Sequence, residues 1–517
     1  MIDVEDMFCF QCEQTVKPNG CQKVGVCSKT PLISSLQDLI ISGCGYCEQT
    51  EEDFTYNIFM TLTNVNFNED DHFQVLEKLN SKIISNDWQL AFSQLKKRDF
   101  QLTRRLYSPD VVLNKLGKDI GGLVQFGIQG VKGASAYAQH CFNIMKLNEE
   151  KNQILSENIL KLMSIHKLLI TKVYNNTSEV LQLLISLGEI NFQITSILYY
   201  YNTKLGGKQK ITTIHQLPIP GPAILVSGHD YKDLMTICVA SQKENVNVYT
   251  HGELFPAGSY ENFKGLVAGH FGGAWWKQQK EFELFPGPVV MTSNCLMKPK
   301  SMSQIKAVGV VGYNDMNKLD MDKLIQEAKQ GGFKDQAHCN SVFNQLNIKQ
   351  EVEGVGLSFN VFQDLKNDIV SKIQTNQIEK LVFIGGCDGQ NTGRNKFRQV
   401  SQKVGSKDLI ITGACGRFRI NDQSIQNVAG LPKILDIGQC NDVWSLIQIV
   451  KQIELEIPTI CESIELWISW YEQKAIIQLL SLLSQGFRNM KIGPTKPVCL
   501  TDSVFALLSD TFGIQLI

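Results

Sequence analysis

A chain of 517 residues, 43% hydrophobic and 20% charged, is long enough for several hydrophobic cores, roughly three by length. Its formal net charge of −1 at pH 7 supplies no field that would draw nucleic acid or an anionic membrane, so neither is an expected partner. Fifteen cysteines follow an acidic N-terminus, MIDVEDMFCF, which is unlike a basic export or transit signal; the expected setting is a reducing, cytoplasmic one, where clustered thiols bind metal or do chemistry.

The first motif in chain order is FCFQCEQTVKPNGCQKVGVC, residues 8–27. Cys9, Cys12, Cys21 and Cys27 are spaced C-x2-C-x8-C-x5-C, and Pro18, Gly20 and Gly25 let the loop turn. Four soft thiolates in so short a loop suit either an iron–sulfur cluster or zinc. The wider second pair makes a poorer zinc knuckle. Cys44 and Cys47 repeat the C-x2-C spacing and are expected on a helix face. The isolated Cys141, Cys238, Cys339, Cys461 and Cys499 are expected to act as small packing residues.

From about residue 34 to 204 the apolar residues recur three and four apart, in SSLQDLIISG, FQVLEKLNSKII, LVQFGIQGVKGASAYAQHCFNIMK and NQILSENILKLMSIHKLLITKVY. That period predicts a helical bundle. The most apolar run, residues 183–201, contains Glu189, Asn191 and Gln193, which fits a core helix better than a membrane span. Residues 205–222, rich in Gly and Pro, are expected to be a linker. Beyond them, short apolar strands alternate with helical segments such as YKDLMTICVASQ and DMDKLIQEAKQ, the βαβ pattern. The expected fold is a multidomain α and α/β protein. A cysteine loop and helical bundle fill residues 1–210, and two Rossmann-like, doubly wound α/β domains fill 211–365 and 366–517.

The strands share one feature. ILVSGHD (224–230) ends in His229, VNVYTHGE (246–253) in His251 and Glu253, and VVMTSNC (289–295) in Cys295. LVFIGGCDG (381–389) carries Cys387, LIITGACG (409–416) carries Cys415, and ILDIGQCND (434–442) carries Cys440. In open α/β sheets the ligand site lies outside the carboxyl ends of the strands. Six strands that each deliver a Cys, His or Glu there point to one metal site gathered from several strand ends. His251, two residues before Glu253, is expected to be a hydrogen-bonded histidine near the site rather than a ligand.

FCFQCEQT…GC…GVC followed by SGHD, YTHGE, GGAWWKQ, FPGP, TSNC, GGCDG, GACGRFR, GQCND and SWYEQK, in that order, resembles the hybrid-cluster protein family, also called prismane proteins or hydroxylamine reductases. The resemblance runs from residue 8 to about 497. It implies a [4Fe–4S] cluster on Cys9, Cys12, Cys21 and Cys27, and a hybrid [4Fe–2S–2O] cluster on His229, Glu253, Cys295, Cys387, Cys415, Cys440 and Glu472. Lys474 stands where the family has a lysine beside that cluster, and Cys387 where it has a persulfide. Mixed sulfur, nitrogen and oxygen donors suit a cluster bridged by both sulfide and oxygen. The implied activity is reduction of hydroxylamine to ammonia and water, with electrons from an external donor protein relayed through the [4Fe–4S] cluster. Cys387, Glu472, Lys474 and His251 are the expected catalytic residues, the last three as proton donors. Alternatives on the same cluster are nitric oxide reduction, or an NO-handling protein that nitrosylates or senses redox state; a carbon monoxide dehydrogenase relative shares the architecture. The sequence departs from the family in LMKPKSMSQIKAVGVVGYND (296–315), which lacks an arginine and a threonine pair, and in GHFGG (269–273), where Asn-Tyr is usual.

Overall fold

A computed structural model describes residues 6–15, 20–63, 65–293, 319–389, 394–421 and 426–517, with only the backbone at 461 and 462. The chain divides into two compact units. The first comprises Met1–Ile197, Tyr471–Arg488 and Thr495–Ile517, and the second Leu198–Trp470 and Asn489–Pro494.

The first unit is helical. Its helices start where the sequence supplies caps. Thr30 Oγ1 accepts from Ile33 N at 3.2 Å and Pro31 occupies the first turn of the helix Pro31–Tyr46. Thr50, Asn68, Ser85 and Asn152 cap the helices Glu51–Phe59, Glu69–Asn80, Asn86–Lys96 and Gln153–Thr171 in the same way. The helix Lys118–Met145 runs 28 residues and buries all sides over most of its length, so it is the centre of the bundle. Gln473–Ser484, another almost wholly buried helix, packs along it.

The helix Thr177–Gly206 is long and apolar enough to cross a membrane, with mean hydropathy 1.3 over its most apolar window, but 56% of that window is buried inside the protein. Its Asn191 Nδ2 donates to Ser481 Oγ at 2.9 Å, a bond made to another core helix. A Cβ on its Gly188 would lie 2.1 Å from Leu480 O, so only glycine lets the two backbones approach.

The second unit is α/β. One sheet contains β2 (Ala223–Ser227), β3 (Asn247–His251), β4 (Val267–His270) and β5 (Val289–Met291) in the order β4-β3-β2-β5, all parallel. Alternate strand residues serve opposite faces. Ile224, Val226 and Val248 pack with Leu234 and Ile237 of the helix Tyr231–Lys243 and with Leu324 of Met321–Gln330. Ala223, Leu225 and Tyr249 pack with Phe282 of Gln278–Leu284 and Val342 of Gln336–Leu346. Helices therefore cover both faces, the reason these strands read as continuous apolar runs.

The other sheet takes β1 (Thr212–His215), β6 (Glu351–Val355), β7 (Leu381–Gly386), β8 (Leu409–Thr412), β9 (Ile434–Asp436), β10 (Ile464–Ser469) and β11 (Lys491–Gly493) in the order β1-β6-β9-β8-β7-β10-β11. These strands pair in parallel except β1, which is antiparallel to β6. β1 lies inside the stretch expected to be a linker. Its Thr212, Thr213 and Ile214 are β-branched and its partner strand is far away in sequence, so the local Gly and Pro signal hides a sheet edge.

Gly188→Ala should cost about 1–3 kcal/mol, the scale of overpacking a tight core. Denaturant unfolding checks this, and Ile84→Ala, at a side chain 92% exposed, should leave the midpoint unmoved.

Candidate metal centres

Register delivers the donors of the second unit. β2 pairs Ser227 with His251 of β3 and with Met291 of β5, so His229, Glu253 and Thr292 leave the sheet at one carboxyl edge. β7 pairs Phe383 with Ile411 of β8, and β8 pairs Thr412 with Asp436 of β9, so Cys387, Cys415 and Cys440 leave the second sheet together. Tight turns follow the strands. Gly228 has φ +126° and a Cβ there would meet Thr292 Oγ1 at 2.3 Å; Gly386 has φ +105° and its Cβ would meet Ser469 O at 2.3 Å. Neither place admits another residue without moving its neighbour.

His229, Glu253 and Cys440 converge. Their ligating atoms lie within 4.8 Å of one another, and all three residues are buried. His229 Nε2 is 3.0 Å from Cys440 Sγ, and Cys440 N donates to Glu253 Oε2 at 3.2 Å. Glu253 Oε1 is buried without a hydrogen-bond partner among the described residues. An orphaned carboxylate oxygen aimed beside an imidazole and a thiol is costly in a bare protein and fits a site completed by a transition metal. Gln439, not foreseen from the sequence, locks the trio. Its Nε2 donates to the carbonyl oxygens of His229 at 3.0 Å and Glu253 at 2.8 Å. The only sequence signal was its place immediately before Cys440.

Cys387 and Cys415 are buried at the ends of adjacent strands. Around Cys387 the charges are paired. Asp388 is fully buried and accepts from Arg394 Nη1 at 2.7 Å and Arg419 Nε at 2.9 Å. Trp275 Nε1 donates to Asp388 O at 3.0 Å, tying GGAWW to GGCDG. Near Cys415 the buried Arg417 faces Asp436 at 2.8 Å. Burial pushes the Asp436 carboxyl up to about 6 although Arg417 pulls it down. Cys295 lies outside the described residues, as does all of 296–315.

His251 has both ring nitrogens engaged: Nδ1 is 2.8 Å from Ser227 Oγ and Nε2 is 2.9 Å from Glu281 Oε2, with all three residues buried. It links the ends of β2 and β3 to the helix Gln278–Leu284. Ser227 stood in the sequence only as the first residue of SGHD, and Glu281 stood in no motif; only the fold joins them to His251.

Glu472 and Lys474 belong to the first unit. Both are buried. Glu472 caps the helix Gln473–Ser484 by accepting from Lys474 N at 3.0 Å, and the Lys474 ammonium lies 5.2 Å from the Tyr137 ring centroid.

The N-terminal loop is also in the first unit. Cys9 N donates to Cys21 O at 3.0 Å and Cys21 N to Cys9 O at 2.7 Å, which folds the loop back on itself. Cys9, Cys12 and Cys21 are buried and Cys27 is half-buried. Burial pushes the Cys12 thiol well up, and the charges of Cys27, Cys9 and Cys21 push it further, so the four thiols share one neighbourhood. Burial likewise raises Cys27, against the pull of Lys29. Thiols this reluctant to ionise need a cation to become ligands, and four of them fit an iron–sulfur cluster or zinc. Lys29 is buried too, its Nζ donating to Gln37 Oε1 at 2.6 Å. Burial pulls its ammonium down, but Cys9, Cys27 and Asp38 together hold it above its ordinary value. Of the other cysteines, Cys44 and Cys141 sit buried on helices and Cys47 ends one, its thiol 3.5 Å from Gly43 O. The side chain of Cys461 is outside the described residues.

Four clustered thiols in a helical unit, and a His–Glu–Cys trio at the strand ends of a parallel α/β unit, define a multidomain α/β protein built to hold transition metal. The chain belongs to the Prismane/CO dehydrogenase family, whose sequence pattern matches residues 7–517. It is 32% identical over 556 aligned residues to a protein of Petrotoga mobilis named hydroxylamine reductase, covering 99% of this chain and all of that one. Proteins of the same name from Trichormus variabilis and Zymomonas mobilis are also 32% identical, over 99% and 98% of this chain and 98% and 96% of theirs. Among solved structures, the alpha subunits of acetyl-CoA synthase/carbon monoxide dehydrogenase, with NiZn[Fe4S4] and NiNi[Fe4S4] clusters, share the fold at TM-score 0.53 and 13% identity, over all of this chain and 85% of theirs.

Replacing Asp388 by Asn leaves the fully buried Arg394 and the partly buried Arg419 facing a neutral partner. It should destabilise the protein by about 3–5 kcal/mol, the scale for breaking a buried ion pair, measured by denaturant unfolding.

Proposed function

We propose that this chain is an iron–sulfur oxidoreductase that reduces hydroxylamine: NH2OH + 2 e⁻ + 2 H⁺ → NH3 + H2O. The observation that carries the reading is the convergence of His229, Glu253 and Cys440 around an unpartnered carboxylate oxygen, in a chain that matches proteins named hydroxylamine reductase along its full length. Cys9, Cys12, Cys21 and Cys27 would hold a [4Fe–4S] cluster. His229, Glu253, Cys295, Cys387, Cys415, Cys440 and Glu472 would hold a hybrid Fe–S–O cluster. When bound, such a cluster supplies iron to polarise the N–O bond and a store of electrons for its cleavage.

The chain's own residues supply the rest. Burial of the trio keeps bulk water from the donors and strengthens every charge interaction there. Gln439 holds the His229 and Glu253 turns in place through their carbonyls. Lys474 is the proton donor of this reading, held over the Tyr137 ring beside Glu472, whose carboxylate would serve as a ligand. His251, closed in by Ser227 and Glu281, bonds both of them and supports the Ser227–Gly228–His229 turn. The electrons come from an external donor protein, and the setting of this reading is cytoplasmic.

Protein prepared without oxygen should carry about eight irons per chain, four for each of two clusters, and no stoichiometric zinc. It should convert hydroxylamine to ammonia with a chemical reductant. Cys387→Ala should abolish turnover while the secondary structure survives. Full turnover in that variant, or reduction of nitric oxide to nitrous oxide in preference to hydroxylamine, would overturn the assigned reaction.

A further inference from the structure

Two short segments of the first unit lie side by side, each next to a proposed ligand. Gln11 separates Cys9 from Cys12, and Gln473 separates Glu472 from Lys474. Gln473 is fully buried, and its Nε2 faces Gln11 O at 3.0 Å, Gln11 Oε1 at 3.0 Å and Thr63 Oγ1 at 2.9 Å. Its Oε1 accepts from Thr63 N at 3.3 Å, which fixes the orientation of the amide. Gln11 Oε1 takes a second bond from the buried Lys132 Nζ at 2.8 Å, and the same ammonium donates to Thr61 O at 3.1 Å. Two further bonds extend the contact: Glu13 N donates to Tyr471 O at 2.9 Å, and Tyr471 Oη donates to Gln14 Oε1 at 2.8 Å. A buried amide with all its hydrogen-bonding capacity used is expensive to misplace, so this clamp has one geometry.

We propose that Gln473 is a positioning residue: it holds the Cys9–Cys12 loop against the Glu472–Lys474 segment and thereby sets the rate at which an electron passes from the N-terminal centre to the second one. The inference rests on the ligand assignment proposed above. In each transfer the N-terminal cluster loses one electron and the second cluster gains it; two transfers and two protons account for one hydroxylamine. The bonds at Gln473 do two things for that step. They fix the separation of the two segments, and they offer a bonded path from the peptide between two thiolate ligands to the peptide beside a carboxylate ligand. Lys132 Nζ bonds the same Gln11 oxygen and so fixes it from the other side.

The test uses the intact, iron-loaded protein and Gln473→Met, which keeps the length of the side chain and removes its hydrogen bonds. Iron content and the paramagnetic signal of the dithionite-reduced N-terminal cluster should match the wild type. Reoxidation of that cluster after mixing with hydroxylamine should slow by roughly 10–100-fold, the scale seen when a residue that orients metal ligands through hydrogen bonds is lost. Amide hydrogen exchange over residues 8–15 should rise, a readout independent of turnover. If Gln473→Met folds poorly, Gln11→Met removes the side-chain bond from the other side and should give the same two changes. Tyr471→Phe loses the hydroxyl bond to Gln14 while leaving the glutamine pair in place, and should slow reoxidation less. Wild-type exchange over 8–15 together with wild-type reoxidation in the glutamine variants overturns the inference. A wild-type protein with both clusters whose reduced N-terminal cluster ignores hydroxylamine overturns the assigned reaction instead, and the exchange measurement still decides whether Gln473 clamps the loop.

Discussion

Donor groups are held out of water in both units, and each must find a partner inside the protein. Desolvation is the constraint from which the rest of the arrangement follows. His229, Glu253, Cys387, Cys415, Cys440 and Glu472 are all buried, as are three of the four N-terminal cysteines. A buried carboxylate or thiolate is tolerable only beside a cation, a metal or several hydrogen-bond donors. Gln439 bonds two backbone carbonyls, Asp388 is paired with two arginines, Arg417 with Asp436, and Lys29 with Gln37 and the nearby thiols. Among the described residues Glu253 Oε1 has no hydrogen-bond partner and burial makes the Cys12 thiol resist ionisation, both of which suit donors that take a bound cation.

Parallel sheets make that burial possible. Their strands are covered on both faces, so the carboxyl edge, where the chain turns through glycine, is the place where polar side chains can gather without breaking the ladder. Register then does the aiming. Because Ser227 pairs with both His251 and Met291, the three turns that follow leave at the same height. A shift of one residue in β3 would reverse which face each of its side chains serves and would carry Glu253 away from His229.

The helical unit solves a different problem with close backbone contact. Gly188 brings its helix onto Leu480, and the buried helix Gln473–Ser484 is thereby pinned with its N-terminal residues beside the cysteine loop. Cys12 follows Gln11 and Glu472 precedes Gln473, both of them proposed ligands, so packing of the bundle and placement of donors are one event there.

Much of this was legible in the sequence. The helical and βαβ periods marked the two kinds of architecture, since a helix buried on one stripe and a strand buried on both faces leave different repeats of apolar residues. The cysteine spacing and the Cys, His and Glu residues after apolar strands marked the metal-donor candidates, because ligand chemistry restricts residue type and the carboxyl edge restricts position. The strand β1 inside an apparent linker, the Ser227–His251–Glu281 chain, the two arginines on Asp388, Gln439 across the His229 and Glu253 turns, and Gln473 against Gln11 were not legible. Most of these join residues far apart in the chain, up to 462 positions for Gln11 and Gln473, and even Arg394, six positions from Asp388, is of a common polar type that fits a surface equally well. Local sequence determines period, turn chemistry and donor type; which buried polar group answers which other one depends on distances that exist only after the chain has packed.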